Sequence, residues 1–140
     1  MGEATMGAQV PMELKLLVAA VILGFVQIVW AAVAGGGGER NFAWLAGPRD
    51  EPRPVGTVAG RLDRALKNFL ETFPLFAVVV LACAATGKLG GSQTIYGAAA
   101  YVIGRAVYVP LYAMGTPLLR TLVWFFATAG IVTIIFAFFK

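Results

Sequence analysis

Four long stretches dominated by apolar residues, the second of them polar over its first half, are separated by polar or glycine-rich interruptions and organise this chain. They cover about residues 12–34, 58–86, 93–114 and 117–139. Each matches the roughly 20 apolar residues that cross a hydrocarbon core as a helix. Glycine, costly inside helices, punctuates them: Gly35 to Gly38 closes the first, Gly87 and Gly90-Gly91 the second, Gly115 the third. Thr116 then offers an N-cap, and Pro117 sits in the first turn, where a missing N–H does no harm. Pro74 and Pro110 fall inside the second and third stretches and predict kinks. The only long connection, residues 39–57, carries prolines at 48, 52 and 54 and is expected to be extended and stiff. Residues 1–11 read as a disordered tail. The pattern predicts an all-α membrane protein, an up-down-up-down bundle of four transmembrane helices in one domain over residues 12–140.

Ala32-Val33-Ala34 could be mistaken for the cleavage site of a secretory leader. The preceding apolar run is too long for a leader, and no basic cluster comes before it, so a retained helix is expected.

Composition strengthens the membrane assignment. The chain is 59% hydrophobic and 13% charged, where soluble domains carry roughly a quarter charged residues. The net charge of +4 does not point to nucleic acid, because the basic residues lie in and beside apolar runs. The arginines gather in the first connection, at the start of the second stretch, and around the third turn. By the positive-inside rule the first and third loops then face the cytoplasm and both termini face out. The chain has no histidine, which removes any Ser-His-Asp triad and the commonest metal ligand; no metal is expected. Cys83, the only cysteine, can form no intrachain disulfide and reads as a small core residue. No internal repeat of the inverted-transporter kind is visible.

A charge near the centre of a membrane helix costs about 2.5–3.5 kcal/mol on insertion scales, so each one needs a reason. At about 100° per residue, Arg61, Arg64, Asn68 and Glu71 share an arc of roughly 80° on the second stretch. On the third, Tyr101, Arg105, Tyr108 and Tyr112 share about 60°. Arg120 and Trp124, one turn apart, share a face of the fourth. Three polar stripes at one end predict a buried cavity rich in arginine and phenol, suited to a small anion that guanidinium groups can grip. Glu71 would receive an ammonium or neutralise an arginine. The blander alternatives are an Arg64–Glu71 ion pair joining helices, interfacial tyrosines, and Trp124 as plain packing.

RALKNFLETFPLF, residues 64–76, resembles the second helix of the membrane-associated proteins in eicosanoid and glutathione metabolism, the MAPEG family, which includes microsomal glutathione transferase and leukotriene synthase. Gly104 and the string that follows it, RAVYVPLYAMGTPLLRTLVWF to residue 125, are similar to the family's third and fourth helices. AGPRDEPRP, residues 46–54, is similar to a bacterial branch. The resemblance implies a homotrimer, in a bacterial inner membrane, with glutathione held between subunits near the cytoplasmic face. It places Arg64, Asn68, Glu71, Arg105, Tyr108 and Tyr112 among the glutathione-binding residues and Arg120 as the group activating the thiol. Arg61, Tyr101, Thr121 and Trp124 are further candidates, and Arg40 matches an arginine after the family's first helix. An ordinary thiol has a pKa of about 8.5; bringing it to about 6.5 takes roughly 2.7 kcal/mol of preference for the anion. One desolvated guanidinium, aided by a helix N-terminus, can supply that. Leu66, Thr72 and Trp124 depart from the ligand-facing residues of the eicosanoid synthases, so those particular chemistries are not expected.

The resemblance therefore implies a glutathione-dependent membrane transferase or peroxidase acting on hydrophobic electrophiles. The alternative is a non-catalytic member that binds lipid or a small anion. A channel is disfavoured by the purely apolar half of the second stretch, residues 77–85.

Overall fold

A computed structural model describes residues 9–36, 39–52 and 56–140, the side chains of 39–42 excepted. The expected tail up to residue 8, Gly37 and Gly38, the Arg40 side chain and Arg53-Pro54 lie outside the described residues. The described chain is helical: α1 (Met12–Gly35), α2 (Glu39–Ala46), α3 (Thr57–Ala85), α4 (Ser92–Met114) and α5 (Pro117–Phe138). Among the described residues α1, α3 and α5 are long and apolar enough to cross a membrane. α4 has the length, but Arg105, Gln93 and its tyrosines dilute its apolar character.

The expected stiff connection contains a helix instead. Residues 39–46 hold neither glycine nor proline, and Glu, Arg, Ala and Leu are good helix formers, so α2 forms before the prolines begin. Beyond it the chain folds back on itself: the Trp44 indole N–H donates to the Glu51 carbonyl at 2.6 Å, and the Arg49 guanidinium lies over the Trp44 ring.

α4 packs against α5, α1 against α3, and α3 and α4 against each other. Small residues permit this closeness. A Cβ on Gly97 would come within 2.7 Å of the Gly130 carbonyl oxygen, and one on Gly104 within 2.8 Å of the Ala127 Cβ. Close backbone approach through small residues is how helices gain van der Waals contact where water supplies no drive. The main core joins Ala20 of α1, Phe76, Val80 and Cys83 of α3, Ala98 and Tyr101 of α4, and Ala127, Ile131 and Ile134 of α5. A smaller cluster of Ala31, Leu62 and Val109 lies toward the α2 end. Both α3 and α4 continue through their internal prolines.

The polarity of the molecule is inverted relative to a soluble protein. Phe25, Val78, Leu118 and Phe136 are all more than 60% exposed, while Glu13, Gln27, Thr72, Thr94 and Arg105 are buried. An apolar exterior on every long helix suits hydrocarbon as the surrounding solvent.

Two polar fixtures tie the helix ends. At one end Glu13, wholly buried, accepts the Gly90 N–H at 2.7 Å and the Thr94 hydroxyl, so a carboxylate from α1 holds the turn that leads into α4. At the other, Gly115 adopts φ 74° after the last turn of α4, and Arg61 donates to the Ala113 carbonyl at 3.1 Å. Thr116 stands at the N-cap position of α5, yet its hydroxyl turns back to the Leu111 carbonyl at 3.0 Å.

Candidate functional site

The polar stripes of α3, α4 and α5 converge near the Arg61 end of the helices. Arg105 is their centre and is only 1% exposed. Its Nη1 donates to Asn68 Oδ1 at 2.8 Å, and its guanidinium lies over the Tyr108 ring at 4.4 Å and the Phe69 ring at 5.6 Å. Nε and Nη2 are buried and have no hydrogen-bond partner among the described residues. None of the described carboxylates pairs with it either. An isolated buried cation is expensive, and the two aromatic faces repay only part of that through their negative quadrupoles.

Beside Arg105 lies a cleft of about 200 Å³ lined by Asn68 of α3, Tyr108 of α4, and Arg120, Thr121 and Trp124 of α5. α5 starts at Pro117 and brings Arg120 and Thr121 into its first turns, near the positive end of the helix dipole. The Arg120 guanidinium stacks over Tyr112 at 4.3 Å, and Arg64 approaches the same ring at 5.9 Å. Tyr108 and Tyr112 meet edge to face, 5.5 Å between centroids. The Trp124 indole N–H is buried and lacks an acceptor among the described residues. Thr121 donates to the Pro117 carbonyl at 2.8 Å, leaving its lone pairs free. The cleft thus gathers donors and the Arg120 cation around a small space, with the Thr121 and Tyr108 hydroxyls able also to accept.

The other candidates lie elsewhere. Arg64 and Glu71 are exposed on the outer face of α3; no ion pair joins them among the described residues, although Glu71 is close enough to Tyr108 to interact electrostatically. Tyr101 is fully buried, bonded to the Thr72 hydroxyl at 3.0 Å and stacked on Phe76 at 4.2 Å, away from the cleft lining. Arg61 is engaged with the end of α4. Two features have no signal in the sequence. One is the Arg105–Asn68 bond, which spans two helices and follows from no spacing rule. The other is the burial of Glu13 and Gln27 on the inner face of α1. A lone acid in a first helical turn looks like a solvated end.

Among the described residues no group of three His, Cys, Asp or Glu side chains could hold a metal ion. Fold and site together define an integral membrane protein of packed apolar helices with an arginine-lined cleft. The MAPEG family model matches residues 16–140, and the chain belongs to that family. No curated protein and no solved structure matches it.

Proposed function

We propose that this protein is a membrane-bound glutathione-dependent transferase or peroxidase, assembled as a homotrimer, with Arg120 holding the thiolate. The observation that carries this is Arg105, a buried cation without a carboxylate among the described residues, set behind a cleft of donors in a member of a glutathione-related family.

The donor set fits an anionic thiol. Arg120 and Thr121 at the start of α5 face negative charge with a guanidinium and a helix N-terminus, which together favour an anion over its neutral form. Tyr108 and Tyr112 offer hydroxyl donors without adding charge. Glutathione would supply the nucleophilic sulfur for attack on an electrophilic carbon or for reduction of a hydroperoxide. A cleft of about 200 Å³ is small for a whole tripeptide. Exposed Arg64 and Glu71 extend the polar surface outward, where a second copy of the chain would close over it. In this arrangement the loops after α1 and α4 face the cytoplasm of a bacterial inner membrane, and a lipid-soluble substrate enters from the bilayer.

A second reading, a non-catalytic binder of lipid or a small anion, draws on the stacking of Arg120 against Tyr112, which already gives the guanidinium a partner. The deciding experiment is glutathione binding to detergent-purified protein by calorimetry, with thiolate absorbance followed near neutral pH. A thiolate signal that disappears in Arg120→Ala supports the catalytic reading. Binding without thiolate supports the second. No binding at millimolar glutathione overturns the glutathione assignment.

A further inference from the structure

The Arg105–Asn68 bond has a polarity that does not depend on how the amide is drawn. A guanidinium carries donors only, so the Asn68 atom 2.8 Å from Arg105 Nη1 must be the oxygen. The Asn68 NH2 is then turned away from Arg105. Asn68 borders the cleft, and no acceptor among the described residues takes its NH2 protons. Arg105 itself does not line the cleft and is 1% exposed. Across the same space stands the Trp124 N–H, likewise without an acceptor among the described residues.

We propose that Arg105 is a positioning residue that locks Asn68 with its NH2 toward the cleft, so that Asn68 donates to the ligand and never accepts from it. Asn68, Trp124 and Arg120 then present donors only, while the Thr121 and Tyr108 hydroxyls in the same lining can also accept. The ligand atoms that meet these three residues are acceptors: those of a carboxylate or a thiolate, not of an ammonium or an amide N–H. This deepens the glutathione reading above and rests on it for the choice of probe.

The test compares wild type, Asn68→Ala, Asn68→Asp, Arg105→Lys, Arg105→Met and the double variant Arg105→Met/Asn68→Ala. Each is purified whole in detergent and examined by glutathione calorimetry and thermal unfolding. Asn68→Ala should weaken binding roughly ten- to hundredfold, the range for a lost hydrogen bond to a charged group. Asn68→Asp should be weaker still, because it keeps the acceptor for Arg105, loses the donor and turns a negative charge toward an anion. Arg105→Met should match Asn68→Ala and add nothing in the Asn68→Ala background, while Arg105→Lys, which keeps a buried donor, should recover most of the affinity. Asn68→Asp binding as well as Asn68→Ala, or additive losses in the double variant, would overturn the proposal. Should Arg105→Met fail to fold, the order of the two Asn68 variants still decides.

The chain holds two asparagines, Asn41 and Asn68, so ¹⁵N-asparagine labelling reads the Asn68 side-chain amide without any ligand. Its resonance should move in Arg105→Met and hold in Arg105→Lys. If wild type binds no glutathione, the functional reading falls and this signal alone judges the positioning role; a resonance indifferent to both Arg105 variants would sink it.

Discussion

Arg105 and Glu13 are both buried charges, yet they do different work. Arg105 has one neutral hydrogen-bond partner and two aromatic faces, and it stands behind a cleft. Glu13 sits at the opposite end of the helices with two donors aimed at one oxygen, while its second oxygen is buried and unpartnered among the described residues. Its role is to tie α1 to the start of α4. Replacing Glu13 by alanine removes two hydrogen bonds to a carboxylate, with the Thr94 hydroxyl falling back on the Gly91 carbonyl at 2.8 Å; the loss is about 1.5–3 kcal/mol, the range for a hydrogen bond to a charged group. The expected outcome is a lower melting temperature in detergent with ligand affinity unchanged; a loss of affinity at equal stability would refute that separation. Arg105 is legible in the sequence as an isolated charge in an apolar run. Its partner is not, because helical periodicity places Asn68 and Arg105 on faces of separate helices and says nothing about which faces meet.

At the scale of elements, α4 and α5 touch backbone to backbone. A Cβ on Gly130 would fall on the Gly97 carbonyl oxygen and 3.0 Å from the Tyr101 backbone nitrogen. Backbone cannot yield as a flexible side chain can, so Gly130→Ala should cost about 1–3 kcal/mol through overpacking. Gly56→Ala meets nothing within 4 Å and is the control. Thermal unfolding of the two side by side checks this, and equal melting temperatures would count against the close packing. The α4–α5 turn carries a related expectation. Gly115 lies at φ 74°, and a Cβ there would come within 2.8 Å of the Arg61 guanidinium. Gly115→Ala should therefore strain the turn and dislodge Arg61 from the Ala113 carbonyl, lowering stability and, through the displaced start of α5, thiol binding. Helix ends are readable because glycine and proline mark them locally. α2 is not, because the neighbouring prolines draw the whole connection into an extended reading when they restrict only the residues from 47 onward.

For the whole molecule, orientation in the bilayer is the property most open to test. Cys83 is buried and is the only cysteine, so a Cys83→Ala background permits single reporters. Asp50→Cys, in the exposed connection before α3, should react with a membrane-impermeant reagent only from the cytoplasmic side, and Ser92→Cys, exposed at the start of α4, only from the other. The reverse labelling would invert the topology. What the sequence by itself determined is the class: apolar runs of spanning length, the charges a bilayer tolerates only for cause, and motifs placing the chain in the MAPEG family. Those signals are local or compositional and survive without any knowledge of packing. Tertiary structure alone decided how the stripes are shared out. Asn68, Tyr108, Arg120 and Trp124 meet at one cleft, while Tyr101, on the same stripe as Tyr108, turns into the core against Thr72 and Phe76. The rotation of each helix is set by where small residues let backbones touch, and no periodicity along a single chain records that.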